Sequence, residues 1–445
     1  MSKPNLSGGV ISRRAVLRPR ETNHRLNFKL NGQNGQKASA SVNGNGHAST
    51  AAASTPTDWI QVAREISAEI RKTAAARERN KQLPIAELKR LRESGLVNLL
   101  FPKKWGGQGG TLKEAAHVVL EIAKGDPTIG ALLGFHYHTS NVPRLLDYDT
   151  DGEKILRRSV ENNWLWGNVW QLRDRNFHAE PRKNGGFIVN GTKKWSTGTY
   201  LGDVTTVVAR RTDRNEFVGA VIPTRRKGLR YHRDWDALGL RQSETETITF
   251  QNVEIKPEEV FPQTRPTRPF DTMPLFYTTF TSPLNAAFYL GTTLGAIEAA
   301  RDFTLTHAKP RIPAFGSARK DPYLMGLYGE FLIKWQAGEA FLDQIIEEVQ
   351  ALWARRETAT EEEIDKLTLR TAALANFAVQ TALEITPRIY DAAGGGATAA
   401  LSQFPLDRYW RDVRTLSLHH PLVGASVSAG NYFLNAEFPQ MAPMF

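Results

Sequence analysis

Two pairs of histidines are the residues of this chain whose spacing could most directly support proton transfer. One residue separates His136 from His138, and His419 and His420 are adjacent. An imidazole gains or loses a proton near neutral pH, so a histidine in a closed site can manage the proton of a reacting oxygen. Neither pair is accompanied by an H-E-x-x-H motif or a group of carboxylates. The pattern therefore does not indicate a metal site.

An asparagine among tryptophans is the second candidate for a binding residue. Trp164, Trp166, Asn168 and Trp170 alternate along the chain, and this period of two predicts a strand with all four on one face. A buried amide needs a hydrogen-bond partner, so Asn168 is a candidate to bind a polar ligand. The three tryptophans, with Trp235, either line a substrate pocket or pack in an ordinary core.

Several common reaction centres are missing from the sequence. There is no P-loop, no G-x-G-x-x-G between a strand and a helix, and no G-x-S-x-G turn. This argues against a P-loop nucleotide site, a Rossmann dinucleotide site and a hydrolase nucleophile. The 445 residues include no cysteine, which excludes disulfides, zinc–cysteine sites, iron–sulfur ligation and a thiol nucleophile.

The net charge of +11 comes mostly from the start of the chain. Positions 1–50 carry eight basic residues and one acidic residue, so the remainder is nearly balanced and offers no basic stripe for nucleic acid. Residues 1–56 are rich in Gly, Asn, Ser and Ala and bury too little apolar surface to fold. We expect a disordered tail, either untargeted in a cytoplasmic protein or, being Arg-rich and acid-poor, a mitochondrial transit peptide. No apolar run approaches the roughly 20 residues that would cross a membrane.

The hydrophobic periodicity divides the rest of the chain into three parts and predicts an α+β, multi-domain fold. Helical patterns fill residues 57–163, strands follow over 164–263, and helices return over 264–445 as a bundle. Within the β part, GFIVNGTKKW (186–195) is expected to be a hairpin that turns at Asn190-Gly191. In the last part, the first long helix is expected to begin at Pro283.

This order of parts resembles the acyl-CoA dehydrogenase fold, and particular segments carry the resemblance. NGTKKWSTG (190–198) and LGLRQSETETITFQNVEI (238–255) are similar to segments of the middle domain of that family. GFHYHTSNVP (134–143) and LDRYWRDVRTLSLHHP (406–421) resemble the branch of reduced-flavin-dependent monooxygenases of the dibenzothiophene monooxygenase type.

The resemblance implies a two-component flavin-dependent monooxygenase. Such an enzyme takes reduced FMN from a separate NAD(P)H:flavin reductase, and reacts it with O₂ to a C4a-hydroperoxyflavin. It then oxygenates a small apolar substrate, here at sulfur or nitrogen. FAD is the alternative cofactor. The resemblance further implies a homotetramer, and no part for nucleic acid or a membrane.

The resemblance also assigns catalytic roles. His419 would hydrogen-bond the peroxide and manage its proton, although His420 stands where the family has Asp. His136 matches a second family histidine and would contact substrate or peroxide, while His138 has no counterpart and is expected to be structural. Asn168 and Thr197, the latter in place of a family serine, would contact the flavin or its peroxide.

Cofactor contacts come from five parts of the chain by the same resemblance. Lys309, with Arg311 as a substitute, matches an Arg that reaches the flavin phosphate of a neighbouring subunit. Gly396 stands where the family has another Arg, and glycine there permits close approach to a phosphate or ribityl chain. The full set of expected contacts is Asn168, Val169, Trp170, Arg173, Lys193, Trp195, Ser196, Thr197, Lys309, Gly395, Gly396 and His419.

A missing carboxylate separates the monooxygenase from its nearest alternative. Acyl-CoA dehydrogenases need a carboxylate base for the α-proton of the thioester, and both segments that resemble the family's base positions, 276–290 and 418–421, contain no Asp or Glu. The alternatives that stay open are an FAD-dependent acyl-CoA dehydrogenase or oxidase with a non-standard base, and a non-enzymatic binding protein on a flavin fold.

Overall fold

The structure is a computed structural model, and it describes residues 57–146, 151–170, 174, 176–261, 273–356, 358–399, 401, 403–419 and 422–438. The expected disordered tail and its targeting role lie outside the described residues. None of the helices within these ranges is long and apolar enough to cross a membrane.

The first part is helical, as expected. The first helix begins directly after Asp58, because the Asp58 carboxylate accepts hydrogen bonds from the backbone N–H groups of Ile60 and Gln61, at 3.1 and 3.0 Å, and so caps the helix. The helices are α1 (Trp59–Arg79), α2 (Ile85–Glu93), α3 (Leu112–Gly125), α4 (Pro127–Ser140), α5 (Val142–Leu146) and α6 (Asp151–Glu161).

The middle part is a mixed sheet. Its strand order is β6-β7-β3-β2-β4-β5-β8, and β1 pairs with β4 in parallel off this path. The strands are β1 (Trp166–Val169), β2 (His178–Pro181), β3 (Phe187–Ser196), β4 (Val204–Arg211), β5 (Phe217–Pro223), β6 (Leu229–Tyr231), β7 (Glu246–Ile255) and β8 (Val260–Phe261).

The expected hairpin at Asn190-Gly191 is wrong. Strand β3 runs without a turn through both residues, and its pairing with β7 only shifts register between Val189 and Gly191. Gly191 has φ +122°, and a Cβ there would lie 2.0 Å from the carbonyl oxygen of Asn176. The glycine therefore serves a bulge and a close backbone crossing, which single-sequence turn chemistry cannot distinguish from a two-residue turn.

The last part is a helical bundle, which completes the expected α+β fold class. Its first helix begins ten residues before the expected start and contains Pro283 in its interior. The residues after this proline, such as Leu284, Ala286 and Ala287, are fully buried, and that packing outweighs one lost backbone hydrogen bond. The helices are α7 (Met273–Thr306), α8 (Pro322–Ala354), α9 (Glu361–Ala393), α10 (Gly395–Ala399), α11 (Asp407–Ser417) and α12 (Leu422–Asn435).

Buried charges hold α11 against the rest of the molecule. Arg408 pairs with Glu78 at the end of α1 (2.7 Å) and with Asp126 at the start of α4 (3.4 Å). The Asp412 carboxylate accepts a hydrogen bond from the backbone N–H of Leu240 at 2.6 Å. Charges taken from water need such partners, so Arg408 and Asp412 hold α11 against α1, α4 and the segment around Leu240.

Candidate functional site

Helix α4 is the element around which most of the predicted site residues meet. Asp126 caps it, accepting from the backbone N–H of Thr128 at 2.9 Å, and nearly every residue of the helix is buried. The histidines of α4 therefore sit in the interior, where each ring nitrogen needs a partner or a ligand.

His136 is fully buried, and both of its ring nitrogens contact backbone groups. Nε2 donates to the carbonyl of Val97 (2.8 Å), and Nδ1 accepts from the N–H of Trp166 (3.2 Å). Burial lowers the pKa of the imidazole to about 4, so the ring is neutral at pH 7. This geometry favours a role in fixing β1 against α4, and the expected contact of His136 with substrate or peroxide stays a prediction.

His138, expected to be structural, has the more open chemistry. The ring is 4% exposed and donates to the backbone carbonyl of Thr281 on α7. Its Nε2 has no hydrogen-bond partner among the described residues. Burial and the neighbouring His419 lower the pKa of His138 to about 3. A buried acceptor without a partner is costly unless a ligand or water supplies a donor.

His419 follows the end of α11 and meets α4 through an aromatic ring. The Phe135 ring lies 5.6 Å from that of His138 and 6.2 Å from that of His419, edge-on to both. The His419 side chain keeps an exposed face, yet the protein around it desolvates the imidazole and lowers its pKa. Helices α4 and α11 thus bring two neutral imidazoles to one place, although the sequence separates them widely.

Asn168 and Thr197 meet where a turn crosses β1. The N–H of Asn168 donates to the carbonyl of Thr197 at 3.0 Å, and Gly167 permits the crossing, since a Cβ there would lie 2.4 Å from the Cα of Thr199. The amide oxygen of Asn168 and the hydroxyl of Thr206, its register partner on β4, are both buried without a partner among the described residues. The Thr197 hydroxyl accepts from the Thr245 hydroxyl at 3.2 Å.

A bulge at the end of β3 sends Trp195 outward and Ser196 inward. Trp195 has φ +61° and is 57% exposed, a left-handed conformation that costs about 1 kcal/mol for such a residue. Its indole lies edge-on to that of Trp235 at 6.0 Å. Ser196 is fully buried, and its hydroxyl has no partner among the described residues. The strand end therefore offers an exposed aromatic surface beside an inward hydroxyl.

The other tryptophans of the alternating segment take different roles. Trp170 stacks on Tyr277 of α7 at 5.5 Å, and its indole N–H is buried without a partner in the described part of the chain. Trp166 is 2% exposed and donates to the hydroxyl of Ser159, and the neighbouring Val169 is 1% exposed. Trp166 and Val169 are thus core residues, whereas Trp170 retains a donor for a ligand.

Lys193 does not lie with these residues. It is 2% exposed, its ammonium lies 4.5 Å above the ring of Phe177, and a carboxylate oxygen of Asp174 is 3.9 Å away. Desolvation lowers the pKa of this ammonium to about 8. Because the bulge separates Lys193 from Trp195, the lysine faces the core of the sheet, and its expected cofactor contact stays a prediction that the geometry disfavours.

The expected phosphate-binding residues form a second group at one end of the bundle. Arg311 donates to the backbone carbonyl of Asp391, next to the Gly394–Gly396 turn that follows α9. A Cβ added at Gly395 would meet no atom, and one at Gly396 would meet only the Phe303 ring, at 3.7 Å. Lys309 is exposed on the same connection as Arg311. This end is therefore open and positively charged, and no described contact joins it to α4.

The residues around α4 and β1 fit the expected flavin. Four buried polar atoms there have no partner among the described residues, and they alternate with aromatic surfaces. A planar heterocycle with polar edges would satisfy them. The atoms are Asn168 Oδ1, Trp170 Nε1, Ser196 Oγ and Thr206 Oγ1.

Two expected site residues, Arg173 and His420, lie outside the described residues. Within the described ranges, no group of three or more His, Cys, Asp or Glu side chains could hold a metal ion. From the sequence, His136 is a stronger candidate for a site residue than His138. In the structure, a ring nitrogen of His138 has no partner among the described residues. This depends on the packing of α7 and α11, which periodicity does not reveal.

Three family models match the chain, in the order of its parts. They are the N-terminal domain of acyl-CoA dehydrogenase over residues 60–154, the middle domain over 174–253 and the C-terminal domain over 285–423.

Among known proteins, the chain is similar to bacterial monooxygenases over most of its length. A dibenzothiophene monooxygenase of Mycolicibacterium goodii is 33% identical, over 86% of this chain and 95% of the relative. The probable FMNH2-dependent monooxygenase SfnC of Pseudomonas putida is 30% identical, over 88% and 98%. The FMN-bound crystal structure of TdsC, a dibenzothiophene monooxygenase from Paenibacillus sp. A11-2, superimposes with a TM-score of 0.80 at 32% identity, over 86% and 98%. These bacterial relatives give the mitochondrial interpretation of the tail no support.

Proposed function

The chain belongs to the acyl-CoA dehydrogenase family, and on that premise we propose that it is a reduced-flavin-dependent monooxygenase. It uses FMN and O₂ to oxygenate a small, mostly apolar molecule at sulfur or nitrogen. Its similarity to FMNH2-dependent and dibenzothiophene monooxygenases supports the enzyme class and the cofactor.

The observation that carries the proposal is the neutral character of the site. His138, His419, Asn168 and Thr197 supply imidazole, amide and hydroxyl groups. The buried carboxylate of Glu246, the register partner of Ser196, accepts a hydrogen bond from the backbone N–H of Arg233 at 2.6 Å, and burial raises its pKa to about 7. The lowered pKa values of both histidines keep the imidazoles uncharged at pH 7. A dehydrogenase needs a carboxylate base, whereas oxygen transfer needs a dry site with fixed hydrogen-bond partners.

FMN, when bound, supplies the oxygen-activating chemistry at its ring. Asn168, Ser196 and Thr197 hold and orient the polar edge of that ring through their amide and hydroxyl groups. His419, neutral and partly accessible, holds or moves the proton at the reacting oxygen through a ring nitrogen. Trp170 and Tyr277, stacked at 5.5 Å, exclude water from one side of the site.

Arg311 is the better candidate for the FMN phosphate. A guanidinium presents a fixed fork of donors, whereas the exposed Lys309 offers a mobile point charge. Because this group and the α4 group are not joined within one chain, we place them in one site through a neighbouring subunit of a homotetramer. A separate NAD(P)H:flavin reductase supplies the reduced FMN.

Stopped-flow absorbance tests the proposal. Protein is mixed anaerobically with chemically reduced FMN and then with oxygenated buffer. A transient spectrum that belongs to neither reduced nor oxidised FMN, and outlives the reaction in free solution, is the expected result. Return to oxidised FMN at the free-solution rate would contradict it.

A second titration separates the alternatives. Oxidised FAD and acyl-CoA thioesters are added to the same protein. Bleaching of bound FAD or a long-wavelength charge-transfer band would support a dehydrogenase with a non-standard base. Failure to bind either flavin would support a non-enzymatic binding protein.

A further inference from the structure

A cavity of about 200 Å³ lies between the first helices and the bundle, apart from the residues assigned above. An apolar cavity of roughly 150 Å³ is already large enough for benzene, so this one can take a ring-sized body. Its apolar lining includes Leu100, Leu112, Leu145, Phe280, Leu352 and Leu367.

One guanidinium lines this apolar space. Arg144, on α5, lies over the indole of Trp353 at 5.8 Å. No carboxylate of the described residues pairs with it, and burial lowers its pKa. The aromatic contact offsets part of the cost of a desolvated charge, but a guanidinium has five N–H donors and the indole face satisfies none of them by a conventional hydrogen bond.

A second guanidinium increases the positive charge at the same place. Arg356 lies 4.9 Å from the centroid of the Trp353 ring and donates to the backbone carbonyl of that residue at 3.2 Å. Its charge also lowers the pKa of Arg144. An anion beside Arg144 would offset this repulsion by Arg356.

The cavity adjoins His138. Asn141 lines it and lies one helical turn after His138, and Thr279 lines it two residues before Thr281, the residue whose carbonyl accepts from His138. Residues three apart on a helix are neighbours on one side. A molecule in the cavity would therefore sit close to the imidazoles of the candidate site.

We infer that this cavity binds an apolar organic anion, with its ring or chain among the leucines and its carboxylate or sulfonate against Arg144. The inference deepens the proposed function, on which it rests for the identity of this anion as the substrate. A neutral molecule of the same shape would leave the guanidinium of Arg144 without an anionic partner, and a cation would be repelled. The cavity therefore selects its ligand by charge as well as by shape.

Isothermal titration calorimetry of the flavin-free protein at low salt tests the binding. The probes are naphthalene-2-carboxylate and its neutral analogue naphthalene-2-carboxamide. We expect the carboxylate to bind at least ~10-fold more tightly than the amide, because only it pairs with the guanidinium. Equal affinity for both probes, or binding of neither, would overturn the inference.

Variants locate the preference. Arg144→Met should abolish the preference for the carboxylate while binding of the amide persists, and Arg144→Lys should retain part of it. The matched control is Arg355→Met, since Arg355 is exposed and pairs with Glu363 at 2.9 Å, and this variant should bind as the wild type does. A preference that survives Arg144→Met would place the anion elsewhere.

A turnover assay separates this inference from the proposed function. Loss of the carboxylate preference together with a normal reaction of FMNH₂ with O₂ would overturn only the cavity assignment. Tight carboxylate binding without any flavin-dependent oxygen reaction would keep the anion site and overturn the monooxygenase. Oxygenation at sulfur of benzothiophene-2-carboxylate, a sulfur-containing anion of similar shape, with FMNH₂ and O₂ would identify the anion as a substrate.

Discussion

His138 and His419 contact the same phenyl ring, that of Phe135, although they are far apart in sequence: His138 lies on α4 with Phe135, and His419 follows the end of α11. The first histidine has its tautomer set by the carbonyl of Thr281, which leaves Nε2 as an acceptor, and the second keeps a partly exposed ring. The pair thus combines a fixed acceptor with an accessible proton carrier, and each half can be tested alone.

Replacing His138 should uncouple oxygen transfer without loss of the fold. His138→Leu removes the buried acceptor, so a smaller share of the FMNH₂ oxidised should end in oxygenated product and a larger share in hydrogen peroxide. His138→Gln, which keeps an acceptor oxygen, should lose less. Product and peroxide are quantified per FMNH₂ consumed, and wild-type coupling in His138→Leu would make this histidine structural.

His419→Ala should affect the proton step more strongly. We expect FMN affinity within about threefold of the wild type, because the His419 ring lies edge-on to Phe135, and we expect most reducing equivalents to pass to hydrogen peroxide. The exposed His178 on β2 provides the control variant His178→Ala. A normal product yield per FMNH₂ in His419→Ala would remove this residue from the mechanism.

Asn168 and Lys193 should differ sharply in their effect on FMN binding. Asn168→Leu removes an amide that lies with the partnerless polar atoms of the site, and we expect FMN affinity to fall by ~10-fold, as for a lost hydrogen bond to a buried group. Lys193→Met removes an ammonium that faces Phe177 in the core of the sheet and should leave the affinity unchanged. Quenching of FMN fluorescence measures both, and the reverse order would place Lys193 at the cofactor.

The buried histidines should make the protein sensitive to acid. Burial lowers the pKa of His136 from 6.5 to about 4. As the pH falls, this imidazole is therefore protonated at a higher pH in the unfolded chain than in the folded chain. The contribution of His136 to the free energy of unfolding is therefore fully present above pH 6.5 and is lost as the pH falls toward 4. The loss is about 2 kcal/mol at pH 5 for this one group. The pKa of His138 is lowered to about 3, so this histidine also reduces the free energy of unfolding as the pH falls.

Urea unfolding at pH 7 and pH 5 measures this effect. His136→Gln keeps a donor and an acceptor but does not titrate, so between pH 7 and pH 5 the free energy of unfolding of the wild type should change unfavourably by about 2 kcal/mol more than that of this variant. An equal fall in variant and wild type would mean that other groups control the acid sensitivity.

The charge network at α11 should carry a large share of the stability. Arg408→Met removes one arginine partner from both Glu78 and Asp126, which keep Arg411 and Arg77 as partners. Because neither carboxylate is left wholly unpaired, we expect a cost of about 3 kcal/mol, at the lower end of that for breaking a buried pair. The matched control is Arg370→Met, because Arg370 pairs with Glu348 on the surface at 2.6 Å and should cost less than ~1 kcal/mol. Denaturant melts of both variants test the difference, and similar costs would contradict the network.

Local patterns predicted much of the architecture. The strands β1 to β8 all lie within residues 164–263, where the change of periodicity predicted them, because turn residues and β-branched runs mark this part of the chain. The prediction of a turn at Asn190-Gly191 was wrong, because the same dipeptide occurs both in hairpin turns and in β-bulges where two backbones cross closely. Pro283 misled because tertiary burial of its neighbours outweighed its local preference.

The site was predictable only in part, because its members meet through packing. The family resemblance indicated Asn168, Thr197 and His419, and the contacts around β1 and α4 bring these segments near one another. The partnerless nitrogen of His138 and the guanidinium of Arg144 over Trp353 depend on which faces of α4, α5, α7 and α8 meet. No local signal in the sequence encodes that choice.

The ion pair of Arg408 with Glu78 joins residues 330 positions apart. During synthesis, α1 and α4 leave the ribosome long before Arg408, the partner of Glu78, is translated. Forming a contact between residues so far apart in sequence is slow. The first helices must therefore persist without their contacts to α11 until the bundle has been synthesised and has folded. The nascent chain is then most exposed to aggregation, and to assistance by chaperones, in the interval before residue 408 is translated.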